Sequence, residues 1–503
     1  RYALEHAKKY HKKRLFFVMP LLSIIEQNAQ EIRKAVQDDS IILEHHSNVI
    51  DDENSDVEEL NKRELLMQSW DNPIIITTLV QLLNTMFLGK TSSVRRFTAL
   101  SNSVIVFDEV QSVPNTMLTL FNLTINFLVK KCHATVILCS ATQPSFENAE
   151  HKLLSEVSDL ITLPSKTLKV FERVELVDNG SMSMEELSDF ALEIIKSKKS
   201  LLLVCNTKRE AKELFENLQA EVNNTVPMYH LSASMCTKHR KMTVESMKSD
   251  LRLPDPKQIV CVATQVIEAG VDISFNCVIR LQAGMDSIVQ AAGRCNRNGE
   301  NKLESVYIVN LLGEKLHRLK EIETAKSATE SLLLAAKTEK QYAMLNSEAA
   351  ISYYYRKLYS KMDKGEQDFL VPNLHKSLYG LLNQHDVADG YFLAQQLKTA
   401  GKYFNVFDNN TVEMIVPYGK GQDVISELNS EKAMYNLVYA EEVIKKATGY
   451  TVTCYQYQID ILKKNAAVIY NDYFGIYILN DSAYYDDKLG LSLDAIGGDG
   501  VFC

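Results

Sequence analysis

Two carboxylates come directly after an apolar run in the first quarter of the chain. The run is Val104–Phe107, and Asp108 and Glu109 follow it. At the carboxyl end of a parallel strand, the first acid can hold a Mg²⁺ ion, usually through water, and the second can orient and deprotonate a water that attacks a phosphate. Acids also end strands simply because they stay solvated there, so the pair alone leaves both interpretations open.

Two hydroxyl side chains end the next apolar run in the same way. Ser140 and Thr142 follow Thr135–Cys139. A strand that ends in Ser and Thr usually just enters a turn. Because this run comes next after the acidic one, its hydroxyls can instead sense the terminal phosphate of a nucleotide and pass on its loss.

A second constellation lies further along the chain and contains two arginines. Gln290, Gly293, Arg294 and Arg297 are close in sequence, and the three-residue spacing predicts that both arginines share one face of a helical turn. Planar guanidinium groups that reach a phosphate from a neighbouring domain are what an arginine finger requires. The alternative is that the arginines cap the turn or form salt bridges locally.

The elements that must position these residues follow a regular pattern over the first 310 residues. Short β-branched runs alternate with helical stretches, which favours parallel sheets covered by helices on both faces. We predict strands at Leu15–Met19, Ile74–Thr78, Val104–Phe107, Thr135–Cys139, Leu201–Cys205, Ile259–Val262, Cys277–Leu281 and Val306–Val309. A mixed stretch near Lys152–Asp178 separates two groups of strands, so the predicted α/β domains are 1–160 and 161–320. A mostly helical, mixed accessory C-terminal domain is predicted at 321–503.

The composition is that of a globular protein with more than one core. Of the 503 residues, 46% are hydrophobic and 24% are charged, which excludes wholesale disorder. A net charge of −9 excludes a surface that is basic throughout, but a local basic groove for nucleic acid stays open. Nine scattered cysteines without a CxxC pair indicate a reducing cytoplasm. The longest apolar stretch, Ile74–Leu88, is interrupted by polar residues, so we predict no membrane span.

Several of these segments, taken in order along the chain, resemble the motifs of superfamily 2 helicases. The matches are Phe16–Pro20 for motif Ia, Ile76–Gln81 for Ib, Asp108–Gln111 for II, Ser140–Thr142 for III, Leu203–Thr207 for IV, Ala263–Ser274 for V and Gln290–Arg297 for VI. Motifs V and VI, read as ATQVIEAGVDIS and QAAGRCNRNGE, are similar to the helicase portion of the CRISPR-associated helicase–nuclease of type I systems. They are less like the motifs of DEAD-box RNA helicases.

The resemblance implies two tandem RecA-like domains that use ATP and Mg²⁺ to move 3′→5′ on single-stranded DNA. It also implies recruitment by an RNA-guided CRISPR surveillance complex, and we expect a monomer in the prokaryotic cytoplasm. The catalytic residues implied are Asp108, which also holds Mg²⁺, Glu109, Gln290, Arg294 and Arg297. Those that couple to ATP are Ser140, Thr142, Gly270 and Asp272. Those that contact nucleic acid are Pro20, Thr77, Thr78, Asn206, Thr207, Thr264 and Gln265.

Two departures from the family's pattern leave alternatives open. Gln111 stands where many relatives carry His. The sequence contains no GxxGxGK[ST] loop, whose main-chain N–H groups and lysine would hold the β and γ phosphates. We expect this loop and the nuclease domain to precede Arg1, so that these residues alone hydrolyse little ATP. The alternatives are another superfamily 2 motor that acts on RNA or DNA, and a non-catalytic nucleic-acid-binding protein that has lost its loop.

Three further segments carry weaker patterns. Asp51–Glu64 is acidic and without periodicity, and we predict a solvated loop. His45 and His46 are predicted to be loop residues rather than metal ligands. Eighteen of the 23 tyrosines lie from Tyr353 onward. We predict that Tyr353–Tyr355 pack a core from one helix, with base stacking on single-stranded DNA as the alternative.

Overall fold

The computed structural model describes every residue except 21, 47–64, 156, 162–163, 165–166, 168–170, 223–225, 254–257, 269, 318, 364, 372–373, 384–394, 407–410 and 494–503. The predicted acidic loop Asp51–Glu64 therefore lies outside the described residues. Within them, none of the helices combines the length and the apolar character needed to cross a membrane.

The first sheet contains five parallel strands. They are β1 (Arg14–Met19), β2 (Ile42–His45), β3 (Ile74–Thr78), β4 (Ser103–Phe107) and β5 (Thr135–Leu138), in the order β2-β3-β1-β4-β5. Because all five run in the same direction, their carboxyl ends meet at one edge. The four strands predicted here are confirmed to within one residue. The sequence pattern did not predict β2, which is short and ends in Glu44 and His45, so His45 belongs to a strand and not to a loop.

The second sheet contains six parallel strands. They are β6 (Val174–Met182), β7 (Ser200–Val204), β8 (Met228–Leu231), β9 (Ile259–Ala263), β10 (Cys277–Leu281) and β11 (Glu304–Leu311), in the order β6-β11-β10-β7-β9-β8. Leu201 and Leu203 of β7 pack in one apolar cluster, and Leu202 and Val204 pack in another. Both faces of the sheet are therefore covered, which explains why its central strands are apolar throughout.

Helices connect the strands and continue beyond the second sheet. In the described part of the chain they span Tyr2–Lys9, Leu22–Val36, Leu79–Phe87, Thr91–Phe97, Leu118–Lys130, Met184–Ser197, Lys208–Glu221, Thr237–Leu251, Met285–Ala292, Lys320–Thr338, Glu348–Lys361, Leu378–Leu382, Leu397–Tyr403, Gly421–Leu428, Glu431–Tyr435, Leu437–Ala447 and Gln456–Lys464. Helix Lys208–Glu221 shows how sequence sets a boundary. The Thr207 hydroxyl accepts a hydrogen bond from the Glu210 N–H, and the Glu210 carboxylate accepts one from the Thr207 N–H, which forms a capping box.

The C-terminal third is mixed, as predicted, and its strands come mainly at the end. Short pairs are formed by β12 (Leu370–Val371) with β13 (Lys376–Ser377) and by β18 (Tyr485–Asp486) with β19 (Gly490–Leu491). A four-stranded sheet is formed by β14 (Thr411–Ile415), β15 (Thr451–Tyr455), β16 (Val468–Asn471) and β17 (Ile476–Leu479), in the order β15-β14-β17-β16. Among the described residues between Lys320 and Tyr403, the regular elements are helices apart from the first short pair.

The chain packs into two compact units, each built from three segments. Unit 1 is Arg1–Ser165, Gly284–Val289 and Leu316–Phe407, and it contains the first sheet. Unit 2 is Lys166–Ala283, Gln290–Lys315 and Asp408–Cys503, and it contains the second sheet. The residues predicted as an accessory domain, 321–503, are thus divided between both units because the helices before 407 pack with the first sheet's unit.

Candidate functional site

Asp108 and Glu109 lie at the carboxyl end of β4, next to the central strand β1. The Asp108 N–H donates a hydrogen bond to the carbonyl of Val18 at 2.9 Å, which extends the pairing of the two strands by one residue. Glu109 then adopts a left-handed backbone conformation with φ 49° and ψ 48°. That conformation costs a residue with a Cβ about 1–2 kcal/mol, and strain of this kind concentrates at functional sites.

A small surface concavity in unit 1 joins the two carboxylates to the predicted motif Ia. Its lining includes Met19, Pro20, Asp108 and Glu109. Pro20 follows β1, and the carboxylates follow the neighbouring strand β4. The parallel arrangement therefore brings three predicted site residues to one place.

A hydrogen-bonded path connects Glu109 to the hydroxyl residues after β5. The Gln111 amide donates to the Glu109 carboxylate, and the Ser140 hydroxyl lies 2.6 Å from the Gln111 amide oxygen. The Thr142 N–H donates to the Ser140 oxygen at 3.1 Å. Predicted motifs II and III are therefore linked by side chains, and Gln111 serves as the link. The departure from His at that position keeps a side chain that can both donate and accept.

The surroundings of Asp108 fit a bound divalent cation. Its Oδ1 accepts a hydrogen bond from the Glu109 N–H at 3.1 Å, and its Oδ2 lies 3.4 Å from the amide nitrogen of Asn28. Among the described residues, no Lys, Arg or His forms an ion pair with Asp108 or Glu109, so no basic side chain neutralises these two half-buried carboxylates. Mg²⁺ is commonly held by one or two such carboxylates together with substrate phosphates. The pKa of the nearby Cys139 thiol is raised by burial and by both carboxylates, which keeps it protonated.

The predicted motif Ib residues are used inside the fold. The Thr77 hydroxyl donates to the carbonyl of His45 at 2.9 Å, and the Thr78 hydroxyl accepts from the Gln81 N–H at the start of helix Leu79–Phe87. Both residues are buried. In this structure they order the end of β3, and their contact with nucleic acid stays a prediction.

Arg280 of β10 is the centre of a buried polar network in unit 2. Its side chain is fully buried, and its Nε lies 3.0 Å from Oε1 of Glu268 in the predicted motif V. Its Nη1 donates to the Asn206 amide oxygen at 2.7 Å, and the Asn206 amide nitrogen donates to Glu314 at 2.7 Å. Asn206 was predicted to contact nucleic acid, but its amide is engaged within the unit, where it ties motif IV to motif V through Arg280.

Arg294 and Arg297 occupy different environments. The predicted shared face of a helical turn is wrong, because the helix ends at Ala292 and the chain then turns, with Cys295 forming a parallel bridge to Phe275. Arg294 is buried, and its Nε donates to the carbonyl of Ile267 at 3.0 Å, with a further bond to the carbonyl of Glu268. Arg297 stays exposed and pairs with Asp272.

The remaining predicted residues of motifs V and VI lie near these arginines along the chain. Thr264 is buried directly after β9, whereas Gln265 is exposed. Gly270 has φ 75°, a conformation that favours glycine and turns the loop towards Asp272. Gln290 lies in the last turn of helix Met285–Ala292. The predicted site residues therefore form one group in unit 1 and one in unit 2.

Sequence reasoning missed the residues that hold these groups in place. Arg280 gave a signal, since a charged residue in the apolar run Cys277–Leu281 needs a buried partner.

A Gly-Lys-Thr triplet at 89–91 resembles the end of a phosphate-binding loop. The structure shows a different element, because Asn84 stands where the first glycine would be and the triplet joins helices Leu79–Phe87 and Thr91–Phe97 instead of following a strand.

Parts of the chain are similar in sequence to known proteins. Residues 197–300 match a family model described as CRISPR-associated nuclease/helicase Cas3, C-terminal. The chain is 25% identical over 318 residues to the CRISPR-associated nuclease/helicase Cas3 of Methanothermobacter thermautotrophicus, which covers 59% of this chain and 36% of that protein. It is 24% identical over 384 residues to the protein of the same name from Haloferax volcanii, covering 57% of this chain and 41% of that protein. The match thus spans less than half the length of these curated relatives.

Solved structures share the fold. The T. fusca Cas3-ADP crystal structure superposes with a TM-score of 0.63 at 15% identity, covering 97% of this chain and 66% of that chain. The T. fusca Cas3-ATP structure gives 0.61 at 16% identity, covering 88% and 59%. A structure described as a CRISPR RNA-guided surveillance complex, pre-nicking, gives 0.55 at 14% identity, covering 95% and 62%. The family match and the curated relatives support a helicase region similar to that of Cas3, and these solved structures share its fold.

Proposed function

We propose that the protein is an ATP-driven translocase that moves 3′→5′ on single-stranded DNA in CRISPR interference. The observation that carries the proposal is the placement of Glu109. It is held in a left-handed conformation beside Asp108 and bonded through Gln111 to Ser140. A carboxylate on a strained backbone, with a defined partner on one side and a concavity on the other, is suited to orient a water for attack on a phosphate.

Each group then has a chemical task. Asp108 would hold Mg²⁺, directly or through water, and the ion would neutralise charge on the phosphates of ATP. Glu109 accepts the proton of the attacking water. Gln111 and Ser140 connect Glu109 by hydrogen bonds to the segment that ends at Thr142, so a change at Glu109 is passed to that segment. Arg297, whose exposed side chain pairs with Asp272, supplies the guanidinium for charge that develops during phosphoryl transfer.

Arg294 and Arg280 serve this chemistry indirectly. Arg294 bonds two main-chain carbonyls of motif V, and Arg280 bonds the Glu268 side chain of the same motif. Both therefore hold the loop that leads to Asp272, and with it the starting position of Arg297. Of the predicted nucleic-acid contacts, Gln265 is exposed, and Pro20 and Thr207 are half-buried. The others, Thr77, Thr78, Asn206 and Thr264, are buried.

The relatives support the choice of substrate and partner. Structures that share this fold are those of Cas3 with ATP and with ADP, and one is that of an RNA-guided surveillance complex. We therefore propose ATP as the fuel and such a complex as the partner that delivers the protein to DNA. We further propose that the protein is a monomer in the cytoplasm. The limits 1–160, 161–320 and 321–503 describe the order of the domains along the chain, and residues of the last contribute to both compact units.

The test measures ATP hydrolysis by the full-length gene product, because residues 1–503 contain no complete phosphate-binding loop. We expect single-stranded DNA to stimulate hydrolysis strongly, with unwinding of duplexes that carry a 3′ single-stranded tail. Stimulation by RNA alone would indicate an RNA motor. Binding of nucleic acid without any turnover would indicate a non-catalytic protein, and either result would overturn the proposal.

A further inference from the structure

Helix Glu348–Lys361 carries two adjacent tyrosines whose hydroxyls are buried. Tyr354 is fully buried and Tyr355 is 4% exposed, and their ring centroids are 5.0 Å apart. The prediction that Tyr353–Tyr355 pack a core is confirmed for Tyr354 and Tyr355, whereas Tyr353 is only half-buried. Phenylalanine would fill the same space without a polar atom, so the two buried hydroxyls need partners.

The two hydroxyls bond groups that are far apart in sequence. The Tyr354 hydroxyl donates to Oδ1 of Asp286 at 2.8 Å. The Tyr355 hydroxyl lies 3.4 Å from both the hydroxyl and the carbonyl oxygen of Thr142. One helix therefore contacts the end of the predicted motif III with one tyrosine and the first turn of helix Met285–Ala292 with the other.

The contact with Asp286 is tightly built. A Cβ added to Gly284 would clash with Oδ1 of Asp286 and lie 2.5 Å from the Tyr354 hydroxyl, so a larger residue would displace these groups. The Gly284 carbonyl accepts a bond from the Ile288 N–H, which starts the helix. An acid in a first turn also stabilises a helix through its dipole. Tyr354 thus fixes the end of the helix that carries Gln290, the first residue of motif VI.

The tyrosines are suited to act as hydrogen-bond donors at any physiological pH. Burial raises the pKa of Tyr354 and of Tyr355 well above the ordinary value, and the Asp286 carboxylate raises both further. Each phenol therefore keeps its proton. The path from Glu109 through Gln111, Ser140 and Thr142 then continues through Tyr355 and Tyr354 to Asp286.

We propose that Tyr354 and Tyr355 are positioning residues that couple the segment after β5 to the helix that begins motif VI. The coupling itself rests on this geometry, and its use in ATP turnover rests on the proposed function. A change at Thr142 is passed to Tyr355, from there through the adjacent backbone and ring of Tyr354, and then to Asp286. The helix Glu348–Lys361 therefore transmits changes between these two segments in addition to packing against them.

The first test does not need turnover. Hydrogen–deuterium exchange is measured on the full-length gene product and on Tyr354→Phe, with Tyr359→Phe as the control. Tyr359 is a buried tyrosine of the same helix whose hydroxyl forms none of the bonds in this path. Loss of a bond to a charged group should raise exchange about tenfold in the first turn of helix 285–292. Coupling predicts a rise at 139–142 as well, although it is Tyr355 and not Tyr354 that bonds Thr142.

The reciprocal variant completes the test. Tyr355→Phe should raise exchange at 139–142 and also at 285–292, since coupling acts in both directions. Changes confined to 285–292 in Tyr354→Phe and to 139–142 in Tyr355→Phe would overturn the proposal. Equal changes in Tyr359→Phe would make the effect general loosening of the helix, which also overturns it.

A second measurement separates the coupling from the proposed function. In DNA-stimulated hydrolysis, Tyr354→Phe should lower kcat about tenfold while KM for ATP changes by less than about twofold. If the parent protein shows no stimulated hydrolysis, the proposed function fails, and the exchange experiment still decides on the coupling. If the parent is active and both tyrosine variants match it in kcat and in exchange, the coupling fails alone.

Discussion

Nε of Arg297 lies 2.9 Å from Oδ1 of Asp272, and the two side chains are 41% and 58% exposed. Water screens an ion pair this exposed, so it contributes about 0–1 kcal/mol. Arg297 can therefore leave Asp272 at little cost. A group that engages a phosphate only during turnover requires this freedom.

Replacing Arg297 should affect the rate far more than the affinity for nucleotide. Arg297→Ala should lower ATP turnover by roughly a thousandfold or more, because the guanidinium acts on charge that builds in the transition state. Arg297→Lys should recover little, since an ammonium lacks the planar fork. ATPase rates and melting temperatures are measured on the same preparations, with the exposed Arg252→Ala as control. A lowered melting temperature with a normal rate per folded molecule would make Arg297 a structural residue.

Substitutions of the two carboxylates after β4 should have different effects, one on turnover and the other on nucleotide binding. Glu109→Gln keeps the shape and removes the base, so turnover should fall about 100-fold or more with nucleotide binding retained. Asp108→Asn should instead weaken Mg²⁺-dependent nucleotide binding. Titration with a fluorescent nucleotide, with and without Mg²⁺, measures binding, and the exposed Glu147→Gln serves as control. Near-parental turnover in Glu109→Gln would assign the base to another group.

The buried pair of Arg280 and Glu268 should contribute far more to stability than the exposed pair does. Glu268→Gln leaves a buried guanidinium without its carboxylate, which should cost about 3–5 kcal/mol of unfolding free energy. Asp272→Asn breaks the exposed pair and should cost less than about 1 kcal/mol. Urea unfolding of both variants measures the difference. Equal losses would mean that the Arg280 charge is compensated by its bond to Asn206.

Stability should also fall in mild acid because of His45. Its Nδ1 accepts a hydrogen bond from the Trp70 indole at 2.9 Å, and burial, with Arg96 and His46, lowers its pKa from 6.5 to about 4. A proton therefore binds His45 more readily in the unfolded chain than in the folded protein. The stabilisation is complete above pH 6.5 and is lost as the pH falls from 6.5 towards 4, by up to about 3 kcal/mol.

The fluorescence of Trp70, the single tryptophan of the chain, reports this loss in urea titrations between pH 7 and pH 4. His45→Gln should flatten the dependence, whereas the exposed His133→Gln should leave it as it is. An unchanged slope in His45→Gln would assign the acid sensitivity to other groups, such as the buried His230, whose pKa is also lowered to about 4 by burial.

The strands were predictable because burial on both faces forces continuous apolar runs. In the two parallel sheets, the strands that escaped prediction, β2, β6 and β8, are short or carry polar residues at positions that stay partly exposed. The roles of Arg294 and Arg297 could not be separated from sequence, since both have the same spacing from the helix and only the turn after Ala292 buries one of them. A contact such as the one between Tyr355 and Thr142 joins residues that are too far apart along the chain for a local sequence pattern to predict it.

The interleaved order of the two units bears on how the protein is made and altered. The five strands of the first sheet are complete by residue 138, yet Tyr355 reaches Thr142 only after the whole second sheet has been synthesised. A nascent chain therefore exposes part of the first unit for most of its synthesis, which is when chaperones act. Recombination between relatives faces the same constraint. Exchanging either unit intact requires its three separate segments to be inherited together. The three segments of a unit should therefore evolve together, and they should be exchanged together in engineering.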